Sequence, residues 1–392
     1  KDLVHAMPTP RVVLLMVKAG APVRQLAVQL ADLMEPGDVV IDGGNAHFAD
    51  TMANLALLDG RSIHFAGLGV SGGAEGARNG PSMMLGCDEP VRDLLLPVLE
   101  SIAARHDGKP CVAWFGTGGA GHFVKMVHNG IEYAVMEAIA EAWQLLAATG
   151  LDADAAGKVI AGWGGSDLAG YLMEISAEVL QARDRLTGAA MIGIVDDAAG
   201  QKGTGGWTVQ EAVELGVPVP SIMAALTVRQ VSAHPDLRTR NNTSADVTGL
   251  QPGTVRDAVK ASIALTLVQG GYLLSTASKH HDWRIDLAEA ARVWRQGSIL
   301  RMAMLDAFAD RASLIKTAQE NRDALAQSVI AATQACVPVP VFSAGLGYLD
   351  MCEAATLPTA LVQLQRDRFG AHGLKRKGSG ETFHGPWQGD GQ

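Results

Sequence analysis

Apolar residues come first in short runs and later at helical spacing, and the change falls near residue 118. Val12-Val13-Leu14-Leu15-Met16-Val17 and Val39-Val40-Ile41 are unbroken apolar runs. Such runs predict strands buried on both faces of a parallel sheet. Further strands are predicted over 63–70 and 111–115, and helices over 21–34, 48–58 and 90–104. Alternating strands and helices predict a partial doubly wound, Rossmann-like α/β domain over 1–118. Beyond it, 209–215, 219–232, 254–278, 287–294, 299–308, 321–334 and 341–353 all have helical spacing. The pattern predicts an all-helical domain over 119–354 and a tail over 355–392, with no repeat of solenoid length.

One helix orders the rest. The glycines of Gly118-Gly119-Ala120-Gly121 let the chain enter it from a tight turn, and its apolar pattern runs to about Ala148. At about 100° per residue, Lys125, His128, Asn129, Glu132 and Tyr133 share one arc of roughly 140°. Phe123, Val127, Ile131, Ala134 and Ala138 lie opposite. A helix apolar nearly all round is buried, and buried charge needs a partner. Lys125 and Glu132 are about 10.5 Å apart along the axis, too far for a relaxed ion pair and suited to flanking a small polar ligand. That spacing favours a site over a structural pair.

Composition narrows the classes. With 392 residues and a formal charge of −9, the chain can form two or three domains. No run of Lys or Arg reaches five, which argues against nucleic acid. The four cysteines stand far apart with no CxxC, so neither a metal site nor a disulfide framework is expected. The sequence has no signal peptide pattern and no uninterrupted apolar run of membrane-spanning length, so neither a membrane nor a secretory address is expected. A reducing cytoplasm fits.

Ligands in doubly wound sheets bind at the carboxyl ends of the strands. Those ends carry Lys18-Ala19-Gly20, Gly43-Gly44-Asn45 and Ser71-Gly72-Gly73. Three Gly-rich polar turns in succession favour a site there. The loop 196–207 has one Lys, Lys202, among glycines, without P-loop spacing. The Gly-rich tail carries Arg366, Arg368, His372, Lys375, Arg376 and Lys377; such tails are disordered or lie on another subunit. No G-x-G-x-x-G follows the first strand. Together with the opening Lys1, this gives the expectation that an N-terminal strand and its glycine turn are missing.

The stretches Ile41-Asp42-Gly43-Gly44-Asn45, Gly69-Val70-Ser71-Gly72-Gly73, 121–133, 199–207 and Gln365-Arg366-Asp367-Arg368-Phe369-Gly370-Ala371-His372 resemble the decarboxylating 6-phosphogluconate dehydrogenases of the pentose phosphate pathway. The resemblance implies oxidation of 6-phosphogluconate at C3 with NADP, or NAD in its place, then loss of CO2 and protonation of the enediol to ribulose 5-phosphate. It implies Lys125 as the base, then acid, and Glu132 as the acid that protonates C1. Asn45, Ser71, Gly72, Gly73, His128 and Asn129 would hold the carboxylate and hydroxyls. Tyr133, Lys202 and Arg238, or Arg240 beside it, would bind the phosphate. Arg366 and His372 would reach in from the tail of a partner in a homodimer. Val17, Lys18, Ala19 and Asn45 would line the cofactor side, and no metal is implied.

Two rivals stand beside this. A β-hydroxyacid dehydrogenase, of the 3-hydroxyisobutyrate type, shares the sheet and a helical Lys but lacks counterparts of 199–207 and 366–372. A non-catalytic remnant would bind sugar phosphate without turnover, because the glycine turn for the pyrophosphate is absent. On that ground the chain as given is expected to have little dehydrogenase activity.

Overall fold

The computed structural model describes residues 1–238, 247 and 249–387, so Arg240 lies outside the described residues. Two compact units result, Lys1–Leu346 and Gly347–Gln392.

The first unit begins with α1 (Asp2–Ala6), β1 (Val12–Leu15), α2 (Ala21–Ala31), β2 (Val39–Asp42), α3 (Phe48–Asp59), β3 (His64–Ser71), α4 (Gly73–Asn79), β4 (Ser82–Gly86) and α5 (Glu89–Ile102). A two-residue ladder of β5 (Arg105–His106) and β6 (Lys109–Pro110) leads to β7 (Val112–Trp114). The five-stranded sheet has the order β1-β2-β3-β4-β7. Val12 pairs with Val39 and Val39 with His64 in parallel register. β4 runs antiparallel to β3, with Ser71 opposite Ser82, and β7 runs parallel to β4.

Three expectations change here. The segment after Ser71 is not a plain turn, for α4 and β4 follow it. β4 escapes sequence reading because Ser82-Met83-Met84-Leu85-Gly86 lacks the β-branched and aromatic residues that mark strands. β1 is not buried on both faces: it is an edge strand, with Val12 36% and Leu14 45% exposed. Finally, 299–308 is not an α-helix but an irregular stretch with one 3-10 turn, Ala303–Ala307.

The helical part comprises α6 (Ala120–Ala148), α7 (Ala153–Trp163), α8 (Tyr171–Gln181), α9 (Thr204–Glu214), α10 (Pro220–Ser232), α11 (Pro252–His280), α12 (Leu287–Trp294), α13 (Arg311–Glu320), α14 (Arg322–Gln334) and α15 (Pro340–Glu353). α11 is long and apolar enough to cross a bilayer, yet it is mostly buried inside the protein, packed on α6, α13 and α14. α6 also packs on β3 and β4. This contact needs glycine on both sides. A Cβ at Gly121 would strike the Met84 carbonyl, and one at Gly69 would strike the Lys125 side chain. The pair Gly67 and Gly69, which sits too late in the chain for a nucleotide fingerprint, therefore lets α6 lie against the sheet.

Far along α6, Glu141 is fully buried and accepts the N–H groups of Val341 (2.6 Å) and Phe342 (2.9 Å) in the first turn of α15. Burial pushes its carboxyl up to about 8, against the pull of those two donors.

The second unit holds α16 (Thr359–Gly370) and a hairpin of β8 (Leu374–Lys375) and β9 (Thr382–Phe383). Of the two expectations for the tail, disorder does not hold for its described residues: they fold on themselves, because Asp367 supplies a buried acceptor. Its carboxylate takes N–H donors from Gly373 (2.9 Å), Gly385 (2.9 Å) and Trp387 (3.0 Å), with His384 Nδ1 at 2.7 Å. The Gly385 N–H, then His384, Gly373 and Trp387, hold this carboxyl down at about 2 despite burial.

Candidate active site

A cavity of about 610 Å³ opens where the sheet ends meet α6. Each wall follows from local folding. β2 ends at Asp42, whose Oδ1 accepts the Gly44 N–H (2.9 Å) and so shapes the turn presenting Asn45. β3 ends at Ser71, and Gly72 turns the chain at φ 120° into α4. Beyond them stand Lys125, Asn129, Glu132 and Tyr133 from α6, and Lys202 from the loop before α9. Of the sequence candidates, Asn45, Ser71, Gly72, Gly73, Lys125, Asn129, Glu132, Tyr133 and Lys202 all line this one cavity.

His128 lies behind the wall, fully buried. Its Nδ1 is 3.4 Å from Lys125 Nζ, 3.1 Å from Asn129 Oδ1 and 3.6 Å from Glu132 Oε2; its Nε2 is 3.5 Å from Ser71 Oγ. Thus His128 joins the two ends of the polar arc that a helix alone keeps apart. Burial, then Lys125, drives the imidazole well below its usual pKa, so it is neutral. Two oxygens beside Nδ1 favour a proton there. An N–H at that position suits a neutral amine on Lys125 better than an ammonium.

Lys125 is 6% exposed. Burial lowers its pKa to about 8, while Glu132 pulls the other way. Burial raises the Glu132 carboxyl, against Lys125 and Arg229. An amine able to shed its proton and a carboxyl able to keep one thus face the same space, as general acid–base chemistry requires.

Arg229 is the residue that sequence reasoning missed. It comes from α10, lines the cavity, and stacks its guanidinium 3.5 Å from the centre of the Tyr133 ring. Gly200, Gln201, Thr204 and Ile299 also line the wall. An Arg in the last turn of a helix reads as an ordinary C-terminal charge, so no local signal marks Arg229. Arg238 does not line the cavity; it is ion-paired with Asp197 at 2.5 and 3.0 Å. With Lys125, Lys202 and Arg229 against one Glu132, the cavity suits a small hydroxylated polyanion.

A second, more apolar cavity of about 460 Å³ adjoins the first, sharing Asn45, Val70, Ser71 and Gly73. Leu14, Met16 and Val17 close its other side. Lys18 is exposed and Ala19 half-buried, and neither lines it. No group of His, Cys, Asp and Glu among the described residues could hold a metal ion.

Comparison with known proteins joins this geometry to a family. Residues 1–118 match the family model described as the NAD binding domain of 6-phosphogluconate dehydrogenase. Residues 121–387 match that of the 6-phosphogluconate dehydrogenase C-terminal domain. The chain belongs to the 6-phosphogluconate dehydrogenase family. It is 40% identical to a decarboxylating 6-phosphogluconate dehydrogenase of Synechococcus elongatus, over 99% of this chain and 88% of that one. It is 39% identical to an NADP(+)-dependent, decarboxylating member from Bacillus subtilis, over 99% and 87%. Among solved structures, the Plasmodium falciparum 6-phosphogluconate dehydrogenase superposes with a TM-score of 0.93 at 33% identity, covering 98% of this chain and 88% of that one. That protein was solved in its apo form, with its cofactor NADP+ and with its substrate 6-phosphogluconate. The match in fold supports the reading of a partial Rossmann-like sheet followed by a large helical region.

Proposed function

We propose that this chain converts 6-phosphogluconate to ribulose 5-phosphate and CO2 with NADP. One observation carries the reading beyond family membership. A buried Lys125 amine with a pKa of about 8 faces a cavity that Lys202 and Arg229 also line. The first group suits an alcohol proton, and the other two suit a phosphate.

In this reading neutral Lys125 takes the C3 hydroxyl proton as hydride leaves C3. Bound NADP supplies the hydride acceptor. Lys125, now an ammonium, returns its proton to the ketone oxygen as CO2 departs, which leaves the enediol. Glu132 then delivers a proton to C1 of the enediol, the carbon that lost CO2, while Lys125, neutral again, takes back the proton of the hydroxyl that becomes the product ketone. Asn45, Ser71, Gly72, Gly73 and Asn129 hold the carboxylate and hydroxyls, and His128 orients Lys125 and Asn129 from behind. Tyr133, Lys202 and Arg229 take the phosphate; Arg238, held by Asp197, steadies the Lys202 loop instead. Arg366 and His372 complete the phosphate site from the tail of a partner, which makes the working form a homodimer.

The apolar cavity tests the cofactor. Its Asn45 rim and its walls of Leu14, Met16 and Val17 fit a nicotinamide ring placed beside the sugar acid. No G-x-G-x-x-G turn for the pyrophosphate follows the first strand in this sequence, so the fit covers the nicotinamide end alone. The division at 1–118, 119–354 and 355–392 and a cytoplasmic place belong to the same proposal.

Calorimetric titration with 6-phosphogluconate and then NADP, followed by absorbance of reduced nicotinamide, tests the reading. Binding of the sugar acid with reduction of NADP and release of CO2 is expected, in place of the low activity that the absent G-x-G-x-x-G turn suggests. Preference for 3-hydroxyisobutyrate as substrate would overturn it, as would sugar-phosphate binding that is unchanged by Lys202→Ala and Arg229→Ala.

A further inference from the structure

Beyond α15, the described residues 354–387 have no apolar core of their own. Over 354–387 only Asp367, Leu374 and Gly385 are buried. Burial of two small patches cannot order some thirty residues against their conformational entropy. What closes this segment is one carboxylate. Asp367 is 0% exposed and takes donors 6, 17, 18 and 20 residues ahead in the chain. It thereby fastens the hairpin and the segment behind it onto the last turn of α16.

Arg366 immediately precedes this hub, and His372 immediately precedes Gly373, one of its donors. On either side of His372 the chain reverses, through Ala371 at φ 51° and Gly373 at φ 79°. The Gly373 carbonyl also accepts from Gln363 Nε2 at 2.8 Å. The His372 ring folds back towards Gly370 and sits 6.0 Å from the Phe369 ring. A left-handed alanine is a strained position, so the reversal needs bonds to hold it. Those bonds run to Asp367 and Gln363.

We infer that Asp367 is a positioning residue: it fixes the turn that sets Arg366 and His372 at one spacing, so that the pair can act on a single anion. The inference rests on the reading that the tail contributes those two side chains to the phosphate site. An amide cannot replace the carboxylate, because Asn offers one acceptor oxygen and turns an NH2 towards donors.

The test compares three variants of the full chain: Asp367→Asn, the double variant Arg366→Ala with His372→Ala, and all three changes together. The Kd for 6-phosphogluconate is read by calorimetry and KM and kcat by NADP reduction. Asp367→Asn is expected to raise Kd and KM by about ten-fold, with kcat within about two-fold. The triple variant is expected to be no worse than the double. Trp387→Phe removes one donor and keeps the carboxylate, so it guards against misfolding; it is expected to raise KM by roughly two- to four-fold. Should the double variant weaken binding while Asp367→Asn and Trp387→Phe do not, the inference falls and the tail reading stands. Multiplying effects in the triple variant would also overturn it. An unchanged Kd in the double variant would remove the tail reading and this inference together.

Discussion

Replacing Lys125 by Met tests the chemistry most directly. The change keeps length and burial but removes the amine. A lysine at 10.5 is neutral to about 0.03% at pH 7, and one at about 8 to about 9%. Burial on α6 therefore multiplies the competent fraction by about two orders of magnitude, roughly 3 kcal/mol. Losing a positioned base costs about 100-fold or more in kcat. Stopped-flow absorbance of reduced nicotinamide, paired with CO2 release, should show both steps lost in Lys125→Met, while calorimetry still finds the sugar acid bound. In the unmodified chain kcat/KM should fall as pH drops below about 8, because the base must be neutral. A Lys125→Met variant that kept a tenth of the rate would refute the assignment. So would a profile flat from about pH 6 to about pH 9.

Glu132→Gln should slow ribulose 5-phosphate formation more than hydride transfer, read by comparing product with reduced nicotinamide. Since Glu132 raises the Lys125 pKa, the same variant should move the acidic limb to lower pH. Arg229→Ala should raise KM about ten-fold with kcat nearly unchanged, the mark of a binding group, and Arg238→Ala should do much less. Glu141→Ala should lower stability by about 2–4 kcal/mol in chemical denaturation, because it leaves two buried N–H groups without an acceptor.

The centre of the site was legible in the sequence because it lies on one helix. A period of 3.6 suffices to put Lys125, His128, Asn129, Glu132 and Tyr133 on one face, and the strand-end turns give Asn45 and Ser71. Arg229 was not legible, since its place depends on how α10 packs on α6, a contact between residues nearly a hundred apart. Arg238 looked equally suitable by charge, and only the ion pair with Asp197 separates the two. In the fold, unbroken apolar runs located β1, β2 and β7. The methionine-rich β4 and its antiparallel course had no such mark. The tail read as a loose polar chain because a buried Asp looks like any other Asp in a sequence.

Asn45 and Ser71 form a shared rim between the polar and the apolar cavity. A ligand in either one becomes part of the wall of the other. Their affinities are then coupled, and coupling is reciprocal: whatever factor the sugar acid adds to nucleotide affinity, the nucleotide returns to the sugar acid. A side chain at this rim serves both ligands, so its replacement changes the cooperativity between them as well as each separate affinity.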